Sequence, residues 1–191
     1  MSVHQFTIFG NKYRMGSYVL LIRVSSPLQL AFGMFRHGAL LAIPEGDYLY
    51  IGSALGNENR GSPLGRRLLR HASRSGNRIP HNIRAAMVNA FAENDLLGND
   101  GKEPSEKKLR WHIDYLLDRP EAEINHIVII RNPEKLENKL AELLESLDET
   151  SPLATRLGAG DTRHSTHLLR FTDRDLILDL LRQTFGDISD I

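Results

Sequence analysis

The 191-residue sequence has no cysteine. That excludes a disulfide framework and any thiolate metal site, and makes a reducing, cytoplasmic location the natural expectation. No excess of charge of either sign is present: 24 Lys+Arg face 24 Asp+Glu, for a formal net charge of zero. A uniformly basic DNA-coating protein is excluded on that ground. Wholesale disorder is excluded too, since it needs high net charge and few apolar residues, and 41% of this chain is hydrophobic. Long apolar runs are also missing. The uncharged stretch Val24–Phe35 is too short to span a bilayer and contains Pro27. The first 14 residues lack a basic start followed by an apolar run, so no secretory signal and no membrane partner are expected.

What is present reads as an irregular mixture of strands and helices, which predicts an α+β fold in one domain over residues 1–191. Tyr18–Val24, Gln29–Phe35, Ala39–Ile43 and Tyr48–Ile51 are apolar, β-prone segments separated by turn residues. Helical periodicity predicts helices over Leu64–Arg74, Pro80–Phe91 and Ser105–Leu117. A strand over Glu123–Ile130 precedes a helix begun by Asn132-Pro133 and running to about Leu147. Ser151–Thr162 reads as loop, Thr166–Phe171 as a last strand and Asp173–Phe185 as a last helix.

Charge is segregated along the chain. Between Arg60 and Arg84 there are seven arginines and no acid, while Glu134–Glu149 and Asp173–Asp190 carry compensating acids. On the first predicted helix, Leu64, Leu68, Leu69 and Ala72 share one arc; Arg66, Arg67, Arg70 and Arg74 share the other, with His71 on the border. This is either a solvated face or an electrostatic footprint for a polyanion. In the second reading Arg66, Arg70, Arg74, Arg78 and Arg84 are the nucleic-acid contacts.

Two segments carry a sharper signal. Gly16-Ser17-Tyr18 opens the first strand, and Tyr50-Ile51-Gly52 closes a later one ahead of the basic helix. Leu64-Gly65-Arg66-Arg67-Leu68 follows, and Glu137 stands on the helix after the 123–130 strand. The set resembles the GIY-YIG nuclease superfamily. Tyr48–Gly56, the run Leu109–Leu117 containing Trp111-His112-Ile113-Asp114, and Gly158–Asp161 with Thr166-His167-Leu168 resemble the DUF123 branch of it. The resemblance spans roughly residues 16–171. It implies a small antiparallel sheet flanked by helices, with a core over about 16–148. Residues of about 75–104 are then a helical insertion, and about 149–191 a C-terminal strand–helix extension.

The resemblance also implies an activity, metal-dependent hydrolysis of DNA phosphodiester bonds in repair or processing, on branched or damaged DNA among other forms. It implies Tyr50 as general base, Tyr18 as its orienting partner on the adjacent strand, Arg67 on the phosphate, and His71 as a phosphate ligand or acid. Glu137 would hold a single Mg²⁺ or Mn²⁺. The chemistry is coherent: a tyrosine of pKa about 10 is a poor base unless a cation lowers that value, and a guanidinium fork suits two phosphate oxygens. Three departures stand beside it. The first motif has Ser17 at its centre, the tail lacks the branch's cysteines, and the 75–104 insertion has no counterpart. His112, Asp114 and His167 read as structural hydrogen bonders, with a zinc site from His112, His164 and His167 as a lesser alternative. Trp111 reads as packing rather than base stacking. The alternative from another class is a non-catalytic nucleic-acid-binding accessory module.

Overall fold

A computed structural model describes residues 5–76, 78–97, 107–155, 157 and 166–186. Eight strands lie among them: β1 (Phe6–Phe9), β2 (Gly16–Val24), β3 (Leu28–Ala31), β4 (Leu40–Ile43), β5 (Gly46–Ala54), β6 (Ala122–Ile130), β7 (Thr150–Pro152) and β8 (Leu168–Phe171). The helices are α1 (Pro63–His71), α2 (Ile83–Glu93), α3 (His112–Leu117), α4 (Glu137–Glu145) and α5 (Arg174–Phe185).

Six strands form one sheet in the order β1-β6-β2-β5-β8-β7, and β3 and β4 pair separately as a hairpin. The small antiparallel sheet expected from sequence is thus larger and mixed, because β1 runs parallel to β6. β2 lies at the centre, antiparallel to both β5 and β6. Its run Tyr18-Val19-Leu20-Leu21-Ile22 is nearly continuous in apolar residues because both faces are covered. Tyr18, Leu20, Tyr50, Ile127 and Ile129 pack with Leu64, Leu68, Met87, Phe91 and Leu116 from α1, α2 and α3. Val19, Leu21, Leu49, Ile51 and Val128 pack with Leu140, Leu144, Ile177 and Leu181 from α4 and α5. The sheet is therefore sandwiched between two helical layers.

Helix boundaries depart from the expected ones for reasons visible in the hydrogen bonding. α1 is capped by Ser62, whose hydroxyl accepts the Gly65 N–H at 3.0 Å, and ends at His71 rather than Arg74. α2 begins at Ile83, not Pro80, because the buried His81 ring bridges Leu117 O (2.9 Å) and the Ile124 N–H (3.2 Å) and holds that segment out of the helix. α3 begins at His112, not Ser105; the described residues before it are non-helical, and residues 101–106 lie outside the described set. Asn132-Pro133 makes a turn, with Asn132 Oδ1 accepting the Glu134 N–H at 2.8 Å, and α4 starts at Glu137. Ser151 and Pro152, expected in a loop, belong to β7 and pair with β8.

Two glycines fix the strand approach. Gly16 has φ +155°, and a Cβ there would lie 2.0 Å from Ile130 O. Gly52 does not end its strand, as expected; it is interior to β5 and directly opposite Tyr18. A Cβ on Gly52 would come within 2.5 Å of the Tyr18 hydroxyl and Cζ. The missing side chain is the space in which the Tyr18 ring lies. Gly52→Ala is therefore expected to cost about 1–3 kcal/mol, the usual penalty of overpacking. Urea denaturation checks it, and an unchanged midpoint would mean the ring has room to move.

Candidate active site

The polar cluster lies toward the end of the sheet where β2 begins and β5 closes. Tyr18 on β2 and Tyr50 on β5 share a face, with ring centroids 6.4 Å apart. They are adjacent as expected, but the Tyr18 hydroxyl is engaged elsewhere: it lies 2.8 Å from His71 Nε2 at the end of α1. Tyr50 makes no hydrogen bond among the described residues; its ring meets His71 edge-on at 6.1 Å.

Behind His71 stands Asp114, at the third position of α3 and fully buried. His71 Nδ1 lies 3.6 Å from Asp114 Oδ1. Both oxygens of Asp114 take the Arg70 fork, at 2.9 Å each. Oδ2 also accepts the backbone N–H groups of Arg110 (2.8 Å) and Trp111 (2.9 Å). Burial works to raise the Asp114 pKa, but His71, Arg70 and the Trp111 backbone together hold it well below the ordinary carboxylate range. His71 is wholly buried, and desolvation pushes its pKa down to about 4 despite Asp114. The ring is neutral at pH 7. With Asp114 permanently ionised, the proton belongs on Nδ1, facing the carboxylate, and Nε2 accepts the Tyr18 O–H.

Burial raises the pKa of both tyrosines, that of Tyr50 well above its usual value. Arg67 opposes the rise without overcoming it, and Glu137 adds to it. The expectation that a neighbouring cation would make Tyr50 a ready phenolate is not met. Arg67, rather than Arg66, faces the cluster: it is half-buried, with Cζ 3.9 Å from the centroid of the Trp111 ring. Arg70 Cζ lies 4.4 Å from the same ring, and His71 meets it edge-on at 6.1 Å. Trp111 is a packing platform for guanidinium groups.

Glu137 opens α4 and reaches the cluster from the opposite helical layer. Ser53 donates to its Oε2 at 2.5 Å, and His167 Nδ1 lies 3.1 Å from its Oε1. Desolvation would raise the Glu137 pKa, yet these two contacts leave it lowered. A carboxylate offers about four lone-pair positions. Two are committed here, and the side chain keeps 14% exposure. Glu137 thus fits a hard cation that retains most of its own waters, although no group of three His, Cys, Asp or Glu side chains gathers among the described residues.

The arginine footprint needs correction. Arg74 is buried, donating to Ile79 O, Ala122 O and Glu123 Oε1 at 2.7–2.8 Å. Arg70 is locked to Asp114, and Arg78 is paired with Asp118 and Ser75. Arg84 is half-buried, with Nε 3.2 Å from Ser73 Oγ. Arg66 is exposed and has no polar partner among the described residues. The acids that neutralise this stretch come from residues 114–123, so the acid-free run in sequence is not a bare cationic face in space. His112 sits against the Phe35 ring, at 5.4 Å, and His167 against Glu137. The third member of the alternative zinc set, His164, lies outside the described residues.

Fold and site together define an α+β protein whose central sheet carries a buried Tyr–His–Asp chain beside an arginine and a glutamate. The chain belongs to the DUF123 family: the profile of "Domain of unknown function DUF123" matches residues 17–189. Neither curated proteins nor solved structures give a match. No helix among the described residues is long and apolar enough to cross a membrane.

The buried neutral imidazole generates a stability prediction. Its folded pKa lies below the unfolded value, so its contribution is full above about pH 6.5 and is lost as pH falls toward about 4. A shift of this size corresponds to about 3 kcal/mol, and His81, also lowered by burial, adds to it. Urea titrations of wild type should show declining stability across that window. His71→Gln should be less stable at pH 7 but lose less on acidification; an equal slope in both proteins would contradict the assignment.

Proposed function

We propose that this chain is a metal-dependent DNA endonuclease of the GIY-YIG type, acting in DNA repair or processing. The observation that supports it most is convergence: Tyr18, Tyr50, Arg67, His71 and Glu137 come from four elements, β2, β5, α1 and α4, and meet around one sheet end. Such a meeting of acid–base and cationic groups suits phosphoryl chemistry, where positioning and charge neutralisation dominate.

The geometry supports a division of labour that differs from the sequence expectation. Tyr18, not Tyr50, is the hydroxyl with a proton acceptor, His71 Nε2, at hydrogen-bond range. A water attacking phosphorus in line gives its proton to the Tyr18 oxygen as Tyr18 passes its own to His71 Nε2. The imidazolium so formed is stabilised by the ionised Asp114, as a buried carboxylate supports a histidine base in other hydrolases. No free phenolate is required, which suits the raised pKa of both tyrosines. Arg67 offers its fork to two non-bridging oxygens. The Tyr50 ring lies beside Tyr18, with centroids 6.4 Å apart, and its hydroxyl would orient the water. Glu137 would hold the Mg²⁺ or Mn²⁺, and such an ion supplies charge neutralisation at the phosphate and at the departing oxygen.

A non-catalytic binding module is the second reading, favoured by the deep burial of Tyr18 and by the Ser53 and His167 contacts that occupy Glu137. Cleavage assays over nicked, branched, damaged and plain DNA separate the two. Wild type should cut with Mg²⁺ and stop in chelator. Glu137→Ala should lose several orders of magnitude in rate while DNA affinity holds or rises, since a negative charge near the phosphate is removed. Tyr18→Phe should cost about 10²–10⁴ in rate, the usual worth of proton transfer, with Tyr50→Phe milder. Equal cleavage by wild type and Glu137→Ala would overturn the nuclease reading.

The arginine geometry adds a binding prediction. DNA affinity should fall with salt through counterion release. Arg66→Ala should reduce the slope of log affinity against log salt by about one. Arg84→Ala should have a smaller effect. A slope unchanged by Arg66→Ala would place the DNA on another surface.

A further inference from the structure

A polar cavity lies at the carboxyl ends of the only parallel strand pair among the described residues. β1 and β6 end at Phe9 and Ile130, and the segments that follow them, 10–13 and 131–134, line a cavity of about 280 Å³. Crevices outside the carboxyl ends of parallel strands are favoured ligand sites. This one includes Lys12, which is exposed, and Arg131, which is only 4% exposed.

Arg131 is unusual in how it is held. Nε donates to Tyr13 O, and Nη1 donates to Asn94 O at 2.9 Å. Both bonds orient the guanidinium without neutralising it. No carboxylate lies within ion-pair distance of it among the described residues; Asp95 and Glu58 act on it from farther away, and both are engaged by Arg14, Asp95 by its side chain at 2.7 Å and Glu58 by its backbone N–H. A buried cation normally has a counter-charge, because removing it from water is costly. The Nη2 group has no hydrogen-bond partner among the described residues. The only carboxylate lining the cavity is Glu134, which is exposed. An oriented, half-satisfied fork in a cavity also lined by an exposed ammonium, which lies 5.6 Å from the Tyr13 ring centroid, suits a tetrahedral oxyanion.

We propose that Arg131 and Lys12 form a phosphate-binding subsite, distinct from the Tyr18–Arg67–Glu137 cluster, that holds a second phosphate of the nucleic-acid substrate. The natural ligand rests on the nuclease reading; the oxyanion chemistry does not. The chain connects the two places directly, since residues 131–134 run into α4, whose first residue is Glu137. A phosphate held here would fix the strand's register relative to the cutting site.

The test uses the full chain and begins with inorganic phosphate, against chloride at equal ionic strength. Phosphate should shift the amide resonances of Lys12, Tyr13 and Asn132 and the Nε–H resonance of Arg131. Lys12→Ala should weaken that binding several-fold. Arg131→Lys, which keeps the charge and loses the fork, should weaken it about tenfold, the worth of one charge-assisted hydrogen bond. If Arg131→Lys does not fold, Lys12→Ala and the wild-type Arg131 resonance decide. Nicked duplexes with a 5′-phosphate or a 5′-hydroxyl then identify the source. A preference for the 5′-phosphate that Lys12→Ala abolishes marks a terminal phosphate; equal weakening on both marks a backbone phosphate. Phosphate binding without any DNA binding would leave the subsite standing and overturn the nuclease reading. DNA cleavage and binding indifferent to Lys12 and Arg131, with no phosphate-induced shift at 10–13 or 131–134, would overturn the subsite alone.

Discussion

The Asp114 carboxylate is the constraint around which the polar cluster is organised. It is fully buried, and an unpaired carboxylate there would be prohibitive. Its two oxygens are met by the Arg70 fork and by two backbone N–H groups, with His71 facing it as well. Each partner is fixed in return. Arg70 is drawn away from solvent, the entry of α3 is set at Trp111, and the His71 ring is held with Nδ1 toward the carboxylate and Nε2 against Tyr18. The carboxylate thus links helix packing to the proton chemistry at the sheet.

The sheet contributes the other half of the geometry. Gly52 leaves room for the Tyr18 ring, and Gly16 lets β2 start hard against β6. Tyr18 therefore reaches His71 from a strand held in place by these two close approaches, Gly16 against Ile130 O and Gly52 against the Tyr18 ring. Glu137 approaches from the other helical layer, so the cluster forms only where both layers reach the same sheet end. This dependence on two cores explains why the polar groups tolerate burial: they are held by packing already required for the fold.

Part of this was legible in the sequence. β2 announces itself as an apolar run, α5 as a last helix within one residue of its start, and the tyrosine, arginine, histidine and glutamate positions stand in recognisable patterns. β1 was not legible, because four residues near the N-terminus become a strand only through a parallel partner more than a hundred residues away. The early stop of α1 and the late starts of α2 and α4 depend on tertiary bonds made by His81 and on a turn at Asn132. The fate of the arginines was hidden for the same reason: Asp114, Asp118 and Glu123 are distant in sequence and adjacent in space. Asp114 carried no signal of its role, because the periodicity placed it inside a helix over Ser105–Leu117; its contacts with the Arg110 and Trp111 N–H groups appear only with the later helix start. Ser53 and His167 gave no signal of their contact with Glu137.

The most direct measurement of the central claim is the protonation state of His71, read from its ring ¹⁵N resonances between pH 4 and 8 in wild type and in Asp114→Asn. The account predicts a neutral ring with the proton on Nδ1 through pH 7, titrating near 4 in wild type, and loss of that tautomeric preference in Asp114→Asn. A proton on Nε2 at neutral pH, or titration near the ordinary value of about 6.5, would contradict the Tyr18–His71–Asp114 chain and the mechanism built on it.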